Sequence, residues 1–265
     1  MGNDANRNIR PAATVILARD AEEGIEVFML LRNPKSEFGG GLYVFPGGSV
    51  DDLDKHPDIA ALCYGMSDKE ASVCLGISEG GLAYWVAAIR ECYEEAGLLA
   101  AVDDQGEYIS LESPLNNRRF EDYRNAICNG MTDMVKICCN EGLRLAVDRF
   151  VYFSHWITPE GAPRRYDTRF FIGIAPPQQR GLHDKRETVA HLWIRPVEAL
   201  ARYKRGEFCM VLPTIRQLEA LSGISSTVEM MEIARSREHI PTIMPRFVKN
   251  GSGIKIVIPG DKEYL

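Results

Sequence analysis

The sequence predicts an α/β fold, a mixed β-sheet lying between helices, and three observations point there. Runs rich in β-branched and aromatic residues (AATVILARD, IEVFMLLR, RFVYFSHWITP, RYDTRFFIGIA, TVAHLWI) share the chain with segments of helical periodicity. No linker-like stretch, internal repeat or low-complexity tract divides them, which favours one sheet with flanking helices over two independent domains. With 265 residues, 45% of them hydrophobic, and a mean hydropathy of -0.18, the chain can bury a full core.

Residues 1–11 read as a flexible polar tail and 12–265 as a single domain. AATVILARD and IEVFMLLR form a hairpin across DAEEG. NPKSEFGGG is a loop, and LYVFPGGSVDD is a short strand ending in a Pro-Gly-Gly turn, where glycine lets the backbone approach a ligand closely. Residues 52–81 change character, with an acidic loop and then helical pieces around IAALCYGM and DKEASVCLGI, and read as an insertion. A helix follows from Leu82 to Ala96, with Gly97 as its cap. Helical periodicity resumes over 115–147. RFVYFSHWITP and RYDTRFFIGIA then pair across EGAPR, and the loop PPQQRGLHDKRE leads into the strand TVAHLWI. RPVEALARYKRG starts a helix with proline in its first turn. Residues 205–265 form a C-terminal extension of two further helices and a hairpin arm, IKIVIPGD.

A net charge of -6 and a pI near 5.5 argue against general nucleic-acid binding and anionic membranes, which need a basic surface. MGNDANRNIR lacks the apolar stretch of a signal peptide, no run approaches a membrane span, and the terminal KEYL is no peroxisomal address. The seven cysteines, odd in number and without any C-x-x-C, read as reduced core residues of a cytoplasmic protein. A homodimer is compatible with this composition.

RECYEEAG, residues 90 to 97, crowds charge where an ordinary amphipathic helix would not. At about 100° per residue, Glu91, Glu94 and Glu95 share roughly a third of the circumference. Val86, Ile89, Tyr93 and Ala96 make the opposite, apolar face that docks the helix. Glu91 over Glu95 is a repulsive pair that a hard divalent cation would relieve. The competing reading is a solvated acidic face with Arg90 paired to Glu94.

Gly47 and Gly48, followed by RECYEEAGL at 90 to 98, resemble the Nudix box, GX5EX7REUXEEXGU with U aliphatic. The right half matches, with Cys92 and Leu98 at the two U positions. The left half is split by the insertion. Counting forward from Gly48 reaches Asp54 at the first glutamate's position, and counting back from Arg90 reaches Leu82. A long insertion within the box, LLRNPKSEFGGGLYVFPGG ahead of it, HWITPEGAPRRYDTRFF and the terminal VIPGD all resemble the coenzyme A diphosphatase branch of the Nudix superfamily. Glu37 stands where that branch's signature carries an arginine.

The resemblance implies a Nudix fold and metal-dependent hydrolysis of a nucleoside diphosphate derivative, with coenzyme A or acyl-coenzyme A preferred. It implies that Glu91, Glu94 and Glu95, with the Gly48 carbonyl, hold Mg²⁺ or Mn²⁺, and that Arg90 orients the carboxylates. The base is Glu94 or Glu95, or else Glu187 in the loop before TVAHLWI. Arg32, Arg164, Arg165 and Arg169 are candidates for the substrate phosphates, against a reading as surface charge with a salt bridge to Asp167. Trp156 and Tyr166 could stack a base, although core packing is the favoured reading, as it is for His155 and His191. Ser154 and Cys92 lack a catalytic partner. The rivals are hydrolysis of ADP-ribose, NADH or an RNA cap, and a non-catalytic nucleotide-sensing module; the presence of all three glutamates favours the enzyme.

Overall fold

The two apolar runs at the start of the chain pair as a hairpin in the computed structural model, which describes residues 9–36, 39–250 and 253–264. They are β1 (Ile9–Ala21) and β2 (Gly24–Arg32). Strand β1 begins at Ile9, so residues 9–11 belong to the sheet and not to the tail the sequence suggested. Glu37 lies outside the described residues. Next come β3 (Tyr43–Val44), β4 (Gly47–Ser49), two 3₁₀ turns (Asp52–Lys55 and Pro57–Leu62) and α1 (Asp68–Leu75). The central helix α2 (Leu82–Ala96) ends at Gly97 with a left-handed φ of 68°, as the sequence predicts.

The chain continues through β5 (Ala101–Val102), α3 (Pro114–Cys128), α4 (Met134–Glu141) and β6 (Arg144–Leu145) to the hairpin of β7 (Phe150–Ile157) and β8 (Arg165–Ile174). Strand β9 (Thr188–Ile194) leads to α5 (Pro196–Lys204), α6 (Leu212–Leu221) and α7 (Thr227–Arg235). Strands β10 (Thr242–Ile243), β11 (Arg246–Asn250) and β12 (Gly253–Val257) complete the described chain. The main sheet runs β10-β7-β8-β1-β2-β3, with β4 added on β1 and β9 on β2. It is mixed: β1 pairs with β8 in parallel from Ile9↔Arg165 to Ala18↔Ile174, and with β2 and β4 antiparallel.

Both faces of β1 are covered, which is why it reads as a near-continuous apolar run. Val15 and Leu17 pack beneath Trp85, Val86, Ile89 and Tyr93 of α2. Ile16 and Ala18 face Leu218, Met230 and Met231 of α6 and α7. Burying a side chain of this size contributes about 1.5–3 kcal/mol, so the apolar stripe firmly seats α2.

Two expectations are corrected. The cysteines are not uniformly core residues: Cys92 and Cys138 are buried, but Cys74, Cys139 and Cys209 are exposed. Strands β5, β6 and β10 were not anticipated; each is two residues long, too short for a period of two to register. Strand β6 matters nonetheless, because its Leu145 carbonyl accepts the Tyr64 N–H at 2.8 Å and so ties the insertion to the body. Among the described residues no helix is long and apolar enough to cross a membrane.

Candidate active site

Helix α2 has no capping side chain of its own, since Gly81 stands at its N-cap. The insertion supplies the missing acceptors. Asp68 of α1 accepts the Gly80 N–H and the Leu82 N–H, both at 3.0 Å, and Ser72 Oγ accepts the Gly81 N–H at 2.9 Å. The two 3₁₀ turns and α1 of residues 52–81 thus lead into the acidic helix and hold it at its start.

The two halves of the split motif meet across β4. The Gly47 N–H donates to Glu95 Oε2 at 2.9 Å. A Cβ at residue 48 would lie 2.3 Å from Glu91 Oε1, so only glycine leaves room for that carboxylate. Arg90 is the hub, only 7% exposed. Its Nε and Nη2 donate to the two oxygens of Asp54 at 2.8 and 2.9 Å, and Nη2 also donates to the Ser49 carbonyl at 2.8 Å. Its Nη1 reaches Glu91 at 2.9 Å and Glu94 at 3.1 Å. Asp54, 1% exposed, thus stands where forward counting from Gly48 puts the first glutamate, while Leu82 is a buried apolar residue.

Glu95 is 5% exposed beneath β4, which is not the solvated acidic face of the competing reading. Burial pushes its pKa well above the ordinary value, and the charge of Glu91 pushes it further, with the Gly47 N–H opposing. Burial also raises Glu91 and Glu94, while Arg90 opposes the rise in each. Burial works against the Arg90 cation, but its bonds to Asp54 and the charges of Glu91, Asp54 and Glu94 overcome that and hold it protonated. The cluster has more negative charge than Arg90 can balance.

Among the described residues no three His, Cys, Asp or Glu side chains are gathered into a finished cation cage. The donor set nevertheless fits a hard divalent ion in its chemistry: three carboxylates on one helix face, raised in pKa by burial and by neighbouring carboxylates, beside a glycine turn.

Arg32 and Glu187 flank this cluster. The Glu187 carbonyl accepts the Asn33 N–H at 2.8 Å, and its carboxylate, 66% exposed, lies 3.6 Å from Arg32 Nη2. Both act on Glu95, Arg32 lowering its pKa and Glu187 raising it. Arg32 Nε is buried with no partner among the described residues.

The hairpin arginines do not join them. Arg169, 7% exposed, donates to the Leu75 carbonyl at 3.3 Å and the Tyr152 hydroxyl at 2.9 Å, and its Nε is 3.3 Å from Asp167. It pins α1 to the sheet from a buried position, not as the surface charge of the competing reading. Arg165 donates to the Thr158 carbonyl and Met244 Sδ. With Arg10, Glu160 and Arg164 it lines a cavity of about 250 Å³. This lies beside Ile9, four residues back along β1 from the Gly48 pairing, or roughly 13 Å at 3.3 Å per residue. Trp156 is a core residue whose Nε1 donates to Ser154 Oγ. His155 is bonded between Asp167 and Thr242. His191 stacks on Phe28 and meets His183 Nδ1 to Nδ1 at 2.8 Å.

Sequence reasoning missed Asp68, Ser72, Arg124 and Asp184. The Ser67-Glu70 capping box was a legible start signal for α1, but nothing in the spacing ties Asp68, Ser72 or Arg124 to α2.

Residues 67–221, more than half of the chain, match the family model of the NUDT19 Nudix domain. The acyl-coenzyme A diphosphatase NUDT19 of Gallus gallus is 26% identical over 309 residues, which take in 99% of this chain and 81% of that protein. The protein of the same name from Xenopus laevis is 24% identical, over 90% of this chain and 71% of its own. The crystal structure of a NUDIX hydrolase from Alicyclobacillus acidocaldarius superposes with a TM-score of 0.70 at 29% identity, covering 88% of this chain and 98% of that one.

Proposed function

This chain belongs to the NUDT19 Nudix domain family, and from that premise we propose that it uses Mg²⁺ or Mn²⁺ to hydrolyse the pyrophosphate of coenzyme A or an acyl-coenzyme A. The products are 3′,5′-ADP and 4′-phosphopantetheine or its acyl derivative. The observation that carries the hydrolytic reading is the closing of Glu91 and Glu95 against Gly48 and Gly47, with Arg90 bridging Asp54 to Glu91 and Glu94. The substrate reading is supported by relatives named acyl-coenzyme A diphosphatase.

A divalent cation, when bound, would neutralise charge on the pyrophosphate oxygens and lower the pKa of a water. Glu91, Glu94, Glu95 and the Gly48 carbonyl would hold it. Arg90 keeps Glu91 and Glu94 turned toward each other through one nitrogen. Glu94 or Glu95, or Glu187 from the neighbouring loop, takes a proton from the water as its oxygen attacks one phosphorus and the bridging P–O bond breaks. Arg32, with its buried Nε free of any described partner, meets a phosphate oxygen. Arg164 and Arg165, which line the cavity further along β1, are the candidates for the 3′-phosphate, carried on the ribose next to the pyrophosphate.

The test is product chromatography after incubation with coenzyme A, an acyl-coenzyme A, ADP-ribose, NADH and an RNA cap, each with Mg²⁺ and Mn²⁺. 3′,5′-ADP released from coenzyme A is the expected result. Intact coenzyme A beside rapid cleavage of ADP-ribose or NADH would overturn the substrate reading and leave the hydrolytic one.

A further inference from the structure

The carbonyls of a helix's last turn have no partners within the helix, and in α2 that turn carries Glu94 and Glu95. The Gly97 N–H returns to the Tyr93 carbonyl, an ordinary local closure. The Glu94 carbonyl is met from outside, by Arg124 Nε of α3 at 2.9 Å. The same guanidinium donates through Nη2 to the Leu182 carbonyl at 2.8 Å. Leu182 in turn donates its N–H to the Ala96 carbonyl at 2.7 Å. Arg124, the end of α2 and the loop at Leu182 thus form a closed ring of hydrogen bonds. The fit is tight, since a Cβ on Gly97 would lie 2.8 Å from Arg124 Nη1.

What the ring restrains is the loop bearing Glu187. Two residues past Leu182, Asp184 accepts the N–H groups of Arg186, Glu187 and Thr188 and the Thr188 hydroxyl. Arg186 donates to Asn129 at the end of α3. Helix α3 therefore braces both the acidic helix and the Glu187 loop from behind. A cap alone would need only the Glu94 carbonyl; the second arm of Arg124 goes to the loop.

We propose that Arg124 is a positioning residue for pyrophosphate cleavage, whose two-armed grip fixes the carboxylates of Glu94 and Glu95 relative to Glu187. It touches neither substrate nor cation, and the proposal rests on the metal-dependent hydrolase reading above.

The test uses the full chain carrying Arg124→Ala or Arg124→Lys, compared with wild type for Mn²⁺ affinity without substrate, for kcat and KM separately, and for thermal midpoint. Residues that orient metal ligands typically contribute 10- to 100-fold in metal affinity or activity. In Arg124→Ala we expect a fall of about that size in Mn²⁺ affinity and kcat, with KM little changed. Arg124→Lys should recover little, because an ammonium cannot span two carbonyls as a planar fork does. Low-millimolar guanidinium should restore part of the activity of Arg124→Ala. Should that variant fail to fold, Arg124→Gln, which keeps one donor, carries the same measurements. Folded variants with wild-type Mn²⁺ affinity and kcat would overturn the proposal alone. A wild-type protein that neither binds Mn²⁺ nor cleaves any pyrophosphate would overturn the functional reading with it.

Discussion

Arg90 holds both oxygens of Asp54 through Nε and Nη2, across a separation of 36 residues, with both side chains withdrawn from water. Breaking a buried pair typically costs about 3–5 kcal/mol, and with Glu91 and Glu94 still bonded to Arg90 Nη1 the low end of that range, about 3 kcal/mol, applies here. Asp54→Ala should therefore lower unfolding stability by about that amount, measured by urea titration. It should also reduce turnover, since Arg90 would lose the anchor that sets where it holds Glu91 and Glu94. A loss within 1 kcal/mol would mean that the pair is not the hub described above.

Glu94→Gln and Glu95→Gln should each lower kcat by about 100-fold or more while leaving the fold intact. Glutamine keeps an oxygen acceptor for the Gly47 N–H that Glu95 now binds, so the expected defect is in charge and not in packing. Turnover against circular dichroism and thermal midpoint would separate the two. Wild-type turnover in both variants would remove the metal-site reading.

Gly48→Ala places a methyl where the Glu91 carboxylate sits, 2.3 Å from its nearest oxygen. The carboxylate must move or β4 must leave β1, so activity and Mn²⁺ binding should fall together. A fully active Gly48→Ala enzyme would show that Glu91 is not held in this position during turnover.

A pH dependence follows from Asp184. Burial raises its pKa, but the N–H groups of Glu187, Thr188 and Arg186 and the Thr188 hydroxyl outweigh that and hold it below the ordinary aspartate value of 3.8. A carboxylate depressed on folding contributes stability that is present above its unfolded pKa and is lost as pH falls through the folded one. The stability difference between wild type and Asp184→Asn should thus be full above about pH 5 and shrink below 3.8. Paired urea titrations from pH 6 to about 2.5 would check it, and a difference that stays constant throughout would count against the turn.

The central helix was legible to its last residue because fifteen positions repeat one apolar stripe and a glycine closes it. Glu91, Glu94 and Glu95 were legible for the same reason, their relation being internal to one helix. That Glu95 is covered was not, because the strand covering it comes from 48 residues earlier. Asp54 could be reached only by counting, since the insertion hides it from any local pattern. Arg124 offered no signal at all: it is one arginine on the polar helix FEDYRNAI, and its partners stand 30 and 58 residues away.

Protein engineers often trim a loop that interrupts a known motif, expecting a leaner protein with its function kept. Here that surgery would fail. Cutting residues 52–81 to the length of an uninterrupted box would discard Asp54, the acceptor for Arg90, together with Asp68 and Ser72, the acceptors for the first amides of the acidic helix. The segment that separates the two halves of the motif in sequence is the splint that joins them in space, and a graft from a relative would have to carry it whole.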